Sequence, residues 1–116
     1  MTPDCKTNYH ILKNLSLNES RIKIKNYEKL ADLNLLKKCN VIVDSILGTG
    51  VIGELKQPYQ SIISSLNKFD CYKVAIDIPT GLNADTGFGE NVFRADLTIT
   101  LGEFKKGLFI QDGYTN

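Results

Sequence analysis

Val41-Ile42-Val43-Asp44 runs straight into Ser45-Ile46-Leu47-Gly48-Thr49-Gly50-Val51-Ile52-Gly53-Glu54, and Val74-Ala75-Ile76-Asp77 runs into Ile78-Pro79-Thr80-Gly81-Leu82-Asn83-Ala84-Asp85-Thr86-Gly87. Each stretch is a β-rich apolar run that stops at an aspartate and opens into a glycine-containing loop. A buried parallel strand delivers a charge to the carboxyl edge of its sheet in this way, and open α/β folds bind ligands at that edge. Two such ends joined by a helical crossover predict one shared site.

Between them, Pro58 is expected to open a helix with Tyr59, Ile62, Ile63 and Leu66 on one face. Beyond the second loop, Leu97 to Leu101 alternates apolar residues with Thr and predicts a third strand. Gly107 to Ile110 predicts a short fourth. Upstream, Thr2-Pro3 can start a helix, with Thr2 as N-cap and a stripe of Cys5, Tyr9, Leu12 and Leu15. Ser16 to Ser20 reads as a loop. Arg21-Ile22-Lys23-Ile24-Lys25 alternates with period two, as a half-exposed strand does. Asn26 can cap a further helix carrying Tyr27, Leu30, Ala31 and Leu35. The order is β-α-β-α-β with further strands, so the class is α/β with a mainly parallel sheet. The first strong buried strand comes only at Val41, and central parallel strands need cover on both faces. The expectation is a domain incomplete at its N-terminus and in part at its C-terminus.

The 116 residues fit one domain or part of one, and 42% apolar with 23% charged residues is ordinary for a soluble protein. A formal charge of +1 gives no reason to expect nucleic acid or an anionic membrane as partner. No apolar run approaches the ~20 residues of a membrane span, and the start has no secretion-signal pattern. Cys5, Cys39 and Cys71 are expected to be reduced thiols of a cytoplasmic protein, since none lies in a C-x-x-C.

Gly48 to Gly53 matches G-x-G-x-x-G in letters, but three residues separate Asp44 from the first glycine and the helix starts late. The loop is longer than a dinucleotide turn, and no Lys-Ser/Thr follows as in a P-loop. Its backbone N–H groups from residue 48 to 54 could wrap an anionic ligand, or the loop could be a plain connection. Pro79 and Gly81 hold Asp77 and the Thr80 hydroxyl in a fixed relation. Asp44 could cap the loop behind it, or ligate a hard cation with Thr80. Asp85-Thr86-Gly87 reads as a turn, His10 as solvated or a packing residue, and Lys105-Lys106 as a solvated pair. One histidine cannot assemble a Ser/His/Asp or Cys/His arrangement.

The strings V-I-V-D-x-x-x-G-T-G-x-x-G-E, D-I-P-T-G-L-N-A-D-T-G, R-A-D-L-T-I-T-L-G and K-K-G-L closely resemble the NAD(P)H-hydrate epimerase family, also called the YjeF N-terminal domain family. The resemblance covers essentially the whole chain, with D-C-K-T-N-Y-H-I-L-K matching the family's middle helix. It implies a Rossmann-like three-layer α/β/α sandwich, residues 1–116 forming part of such a domain, and a homodimer. It implies epimerisation of the R and S forms of NADHX and NADPHX, the hydrates of the reduced nicotinamide nucleotides. A fused or separate ATP- or ADP-dependent dehydratase is implied as partner. By position, Asp44 and Thr80 match potassium ligands; Gly48, Thr49, Gly50, Val51, Ile52, Gly53 and Glu54 match the substrate loop. Asp77 matches the acidic residue at the substrate and is the expected acid/base, and Lys6 falls near a lysine used beside the substrate. The family prefers Ser where Thr80 stands. Its G-N-N-G-G-D motif lies upstream of the opening helix, so the chain reads as the second half of the domain. The alternatives are a non-catalytic scaffold of the same fold, or half of an ordinary dinucleotide-binding domain; in the latter, Asp70 would be the ribose acid, yet it precedes a strand instead of ending one.

Overall fold

The computed structural model describes residues 2–50, 53–111 and 113. Its centre is a three-stranded sheet, β1 (Val41–Asp44), β2 (Tyr72–Ile76) and β3 (Leu97–Ile99), in that order and parallel throughout. Helix α1 spans Pro3–Asn18 and helix α2 Tyr59–Leu66. Two 3₁₀ segments, Leu30–Lys38 and Lys106–Phe109, complete the elements. The α/β class with a parallel sheet agrees with the expectation from sequence.

Register decides the two faces of the sheet. Ile42 is opposite Lys73 and Asp44 opposite Ala75, which is opposite Thr98. This face is covered: Ile42 and Ala75 are buried with Ile62, Ile63 and Leu66 of α2 and Phe93 in one cluster. Each of the Ile, Leu and Phe side chains contributes about 1.5–3 kcal/mol on burial. Lys73 enters the covered face by turning its ammonium back to the Phe69 and Cys71 carbonyls, at 2.6 and 3.3 Å. The other face carries Val41, Val43, Tyr72, Val74, Ile76, Leu97 and Ile99. All seven are apolar or aromatic, and Val41, Val43, Tyr72, Leu97 and Ile99 are exposed. Near-continuous apolar strands are what a doubly covered parallel sheet requires.

Four readings of the sequence need correction. Residues 21–25 form no strand, and β1 is bonded along one edge alone among the described residues. Alternation gives a segment the capacity to pair, but a ladder also needs a free edge brought alongside. The second upstream helix is a 3₁₀ turn series over Leu30–Lys38 with Lys29, not Asn26, at its N-cap position; the Asp32 carboxylate accepts from the Glu28 and Lys29 N–H groups, both at 2.9 Å. Its inward residues are therefore Leu33, Leu36 and Cys39, packed on the core at a three-residue period, while Tyr27, Leu30 and Leu35 are exposed. Helix α1 continues through Asn18, so Ser16 is helical, its hydroxyl donating to the Lys13 carbonyl at 2.7 Å. The expected strand at Gly107–Ile110 is a 3₁₀ turn. Gly107 is pressed against the chain at Asn83 and Ala84, and its N–H donates to the Ala84 carbonyl at 2.7 Å. The Thr2 cap is present, its hydroxyl accepting from the Cys5 N–H at 3.3 Å, yet no α1 residue is buried.

The long connection from β2 to β3 has its own small core of Ile78, Leu82, Ala84 and Val92, with Leu108 against it. That cluster fixes the loop carrying Thr80 in place. Gly81 has φ 97°, and a β-carbon there would stand 2.3 Å from the Asn91 carbonyl oxygen, so only glycine fits.

Candidate active site

The adjacent ends of β1 and β2 build the site. Asp44, the last residue of β1, is 1% exposed, and Thr80 is fully buried. The Thr80 N–H donates to Asp44 Oδ2 at 2.8 Å, and the Thr80 hydroxyl donates to Oδ1 at 2.8 Å. Oδ1 also accepts from the Ile46 N–H at 3.2 Å. The Leu47 N–H in turn donates to Thr80 Oγ1 at 3.1 Å. One carboxylate thus ties the glycine loop to the D-I-P-T-G loop, across 36 residues of sequence. Of the two roles open to Asp44, loop capping is visible in these bonds.

Asp77 is the first residue past β2 and differs in every respect. Its φ is 72°, a left-handed conformation that a non-glycine residue rarely holds. Its N–H donates to the Ile99 carbonyl at 2.8 Å, which anchors it to β3. Oδ1 accepts from the Leu101 N–H at 3.2 Å and from the Lys105 ammonium. Lys105 beside it, with the Leu101 N–H, holds the Asp77 carboxyl below the usual carboxylate range against some desolvation. Oδ2 accepts no hydrogen bond among the described residues. It lies 3.6 Å from where a β-carbon on Gly48 would stand, so the glycine loop passes directly over it.

The predicted loop residues Gly48, Thr49, Gly50, Gly53 and Glu54 are all exposed, and Gly53 has φ 75°. Their N–H groups donate to no acceptor among the described residues. Val51 and Ile52 lie outside the described residues. A cleft of about 330 Å³ runs beside Gly48, Gly50 and Tyr59, and one of about 480 Å³ beside Gly53, Asn83 and Phe88; Glu54 lines both. Asp85 and Thr86 belong to a turn, their N–H groups donating to Asn83 Oδ1 at 3.0 and 2.9 Å.

Asp44, Thr80, Asp77 and Gly48 are therefore brought together as the strand ends predicted. Lys6 is not tied to them: it stands exposed on α1, and its ammonium makes no hydrogen bond or ion pair among the described residues. The sequence reading missed Lys105, taken there for half of a solvated pair. Its side chain is 16% exposed and salt-bridged to Asp77, whereas Lys106 is exposed. No run of letters could signal it, because the pairing closes across 28 positions.

No helix among the described residues is long and apolar enough to cross a membrane. The chain resembles several curated proteins. It is 49% identical over 72 residues to an NAD(P)H-hydrate epimerase of Nitrosopumilus maritimus, covering 61% of this chain and 34% of that relative. It is 43% identical over 83 residues to an NAD(P)H-hydrate epimerase of Elusimicrobium minutum, covering 70% of this chain and 38% of the relative. With a bifunctional NAD(P)H-hydrate repair enzyme of Archaeoglobus fulgidus it shares 45% identity over 69 residues, 60% of this chain and 15% of the relative. The matched stretch is thus well under half the length of each of these relatives. The family profile described as YjeF-related protein N-terminus matches residues 1–107. With the D-I-P-T-G loop locked to Asp44 and the glycine loop lying over Asp77, this chain belongs to the YjeF-related protein N-terminal family.

Proposed function

We propose that the protein interconverts the R and S forms of hydrated NADH and NADPH, with Asp77 as its acid/base. The observation that carries this reading is the half-clamped carboxylate: Asp77 Oδ1 is bonded twice, while Oδ2 faces the gap under Gly48. The names of the relatives support the same reaction. In the hydrated ring the C6 hydroxyl is attached next to the ring nitrogen, so the nitrogen lone pair can expel it once a proton arrives. The ring left behind is cationic, and a carboxylate beside it lowers its energy. The departing hydroxyl takes its proton from solvent and leaves as water; Oδ2, held as a carboxylate, takes a proton from the water that adds back on its face and returns it to solvent. A positioned group of this kind contributes about 10²–10⁴-fold. The N–H groups of the glycine loop would hold the pyrophosphate, and the family's upstream G-N-N-G-G-D segment would complete the pocket. A dehydratase, fused or separate, would consume the S form, and the domain would act as a dimer.

Asp44 and Thr80 are the residues that would hold a potassium ion. The donor set suits it in kind: a carboxylate, a hydroxyl and the Leu47 carbonyl, 3.3 Å from Thr80 Oγ1, are all hard oxygens. Bound there, the ion would supply positive charge that orders the two strand ends. Exchange of KCl for NaCl is expected to lower Tm, because a ligand that binds the folded state alone stabilises it.

The test is to give the full-length protein isolated R-NADHX and follow the epimer ratio by chromatography. Asp77→Asn should slow interconversion strongly while leaving binding measurable. Unchanged turnover in that variant removes Asp77 from the role.

A further inference from the structure

Lys105 lies just before the second 3₁₀ turn, at the end of the loop that follows β3. An ammonium has three donors. Here they meet three acceptors: Asp77 Oδ1, Thr100 Oγ1 at 3.2 Å and the Leu101 carbonyl at 2.6 Å. Four rotatable bonds are immobilised in the process, which a solvated lysine would not accept. The loop from Thr100 to Lys105 therefore closes over the end of β2 and grips one oxygen of Asp77 from two directions.

We propose that Lys105 is the positioning residue of this site: its ammonium pins Asp77 Oδ1, and so presents Oδ2 as a carboxylate to the gap beneath Gly48. This rests on the epimerase reading for its chemistry but not for its geometry. Lys105 is the charged group that touches Asp77. Asp44, on the neighbouring strand, is committed to Thr80, and the glycine loop brings a single carboxylate, Glu54. The lowered Asp77 pKa, with Lys105 as its largest cause, agrees with the arrangement. A carboxylate so held stabilises a cationic ring throughout the neutral range and needs no rotamer search when substrate arrives.

The experiment compares wild type, Lys105→Met, Lys105→Arg and Lys106→Met in the full-length protein. Two readouts are independent of each other: the titration of the Asp77 carboxyl by ¹³C NMR, and the pH profile of R/S interconversion. Lys105→Met should raise the Asp77 pKa toward the ordinary carboxylate value. The acid limb of kcat/KM should rise by the same amount. With KM little changed, kcat should fall by about tenfold or more. Lys105→Arg should restore the acid limb but not all of kcat, because a planar fork cannot meet the same three acceptors. Lys106→Met should match wild type. An unmoved Asp77 titration and acid limb in Lys105→Met overturn the proposal. Should that variant not fold, an Asp77 carboxyl in wild type that titrates at or above about 3.9 overturns it equally. If wild type fails to interconvert the epimers but the NMR titration shifts as expected, the epimerase reading falls and the clamp stands.

Discussion

The two strand ends carry the same residue type and do opposite work. Asp44 is sealed from solvent and its oxygens accept three hydrogen bonds from the loops around it. Asp77, one strand over, keeps one oxygen open and sits in a left-handed backbone conformation that its neighbours must hold. Such strain persists only where the surroundings over-determine it, and it gathers at functional sites. The first aspartate therefore ties the loops together, and the second leaves one oxygen toward the gap beneath Gly48. Identical letters at the ends of adjacent strands part company because one is followed by a backbone that folds back onto it.

The largest effect that could break this contrast is on turnover. Asp77→Asn is expected to lower R/S interconversion by about 10²–10⁴-fold with little change in Tm. A large loss of Tm instead would make Asp77 a structural residue like Asp44. The mirror experiment is Asp44→Ala, read by thermal and denaturant unfolding. It strands the buried Thr80 N–H, at about 1–3 kcal/mol, while the hydroxyl can turn to the Leu47 carbonyl 3.3 Å away. Stability unchanged within ~0.5 kcal/mol would show that the Asp44 bonds are not needed. Thr80→Val sharpens the point at lower amplitude, since the shape stays and the hydroxyl goes. It should cost about 1–3 kcal/mol, whereas Thr80→Ser should stay within about 1 kcal/mol.

The smallest effect is on acid stability. Asp77 has its folded pKa held down by Lys105, so its contribution is complete above about pH 5. It fades as pH falls below the unfolded value of ~3.9 toward the lower folded one. Its side chain is 23% exposed, which keeps the effect small. Asp77→Asn should flatten the fall of Tm with acid over that window, as differential scanning calorimetry would show.

Much of this contrast was legible before any coordinates. Val41–Asp44 is a strand with the predicted bounds, and Ile62, Ile63 and Leu66 form the buried face of α2 as their spacing requires. The D-I-P-T-G string announced a rigid turn, because proline and glycine act on their own backbone. What stayed illegible depends on partners. Residues 21–25 alternate like a strand, but no pattern states that an edge is beside them. The Leu33, Leu36, Cys39 row was overlooked because a period of 3.6 was assumed where the turn winds at three. The left-handed turn at Asp77, one residue past the strand, gives no signal in its letters. Lys105 is the instructive miss: a cation in a Lys-Lys pair looks solvated until the fold delivers a carboxylate to it.

The sheet face lined by Val41, Val43, Tyr72, Val74, Ile76, Leu97 and Ile99 has a practical consequence. An apolar plane of that kind adsorbs dyes, detergents and other greasy surfaces when water is its sole neighbour. The fluorescence of 1-anilinonaphthalene-8-sulfonate therefore serves as a gauge of it, dim wherever that plane is roofed and bright wherever it is bare.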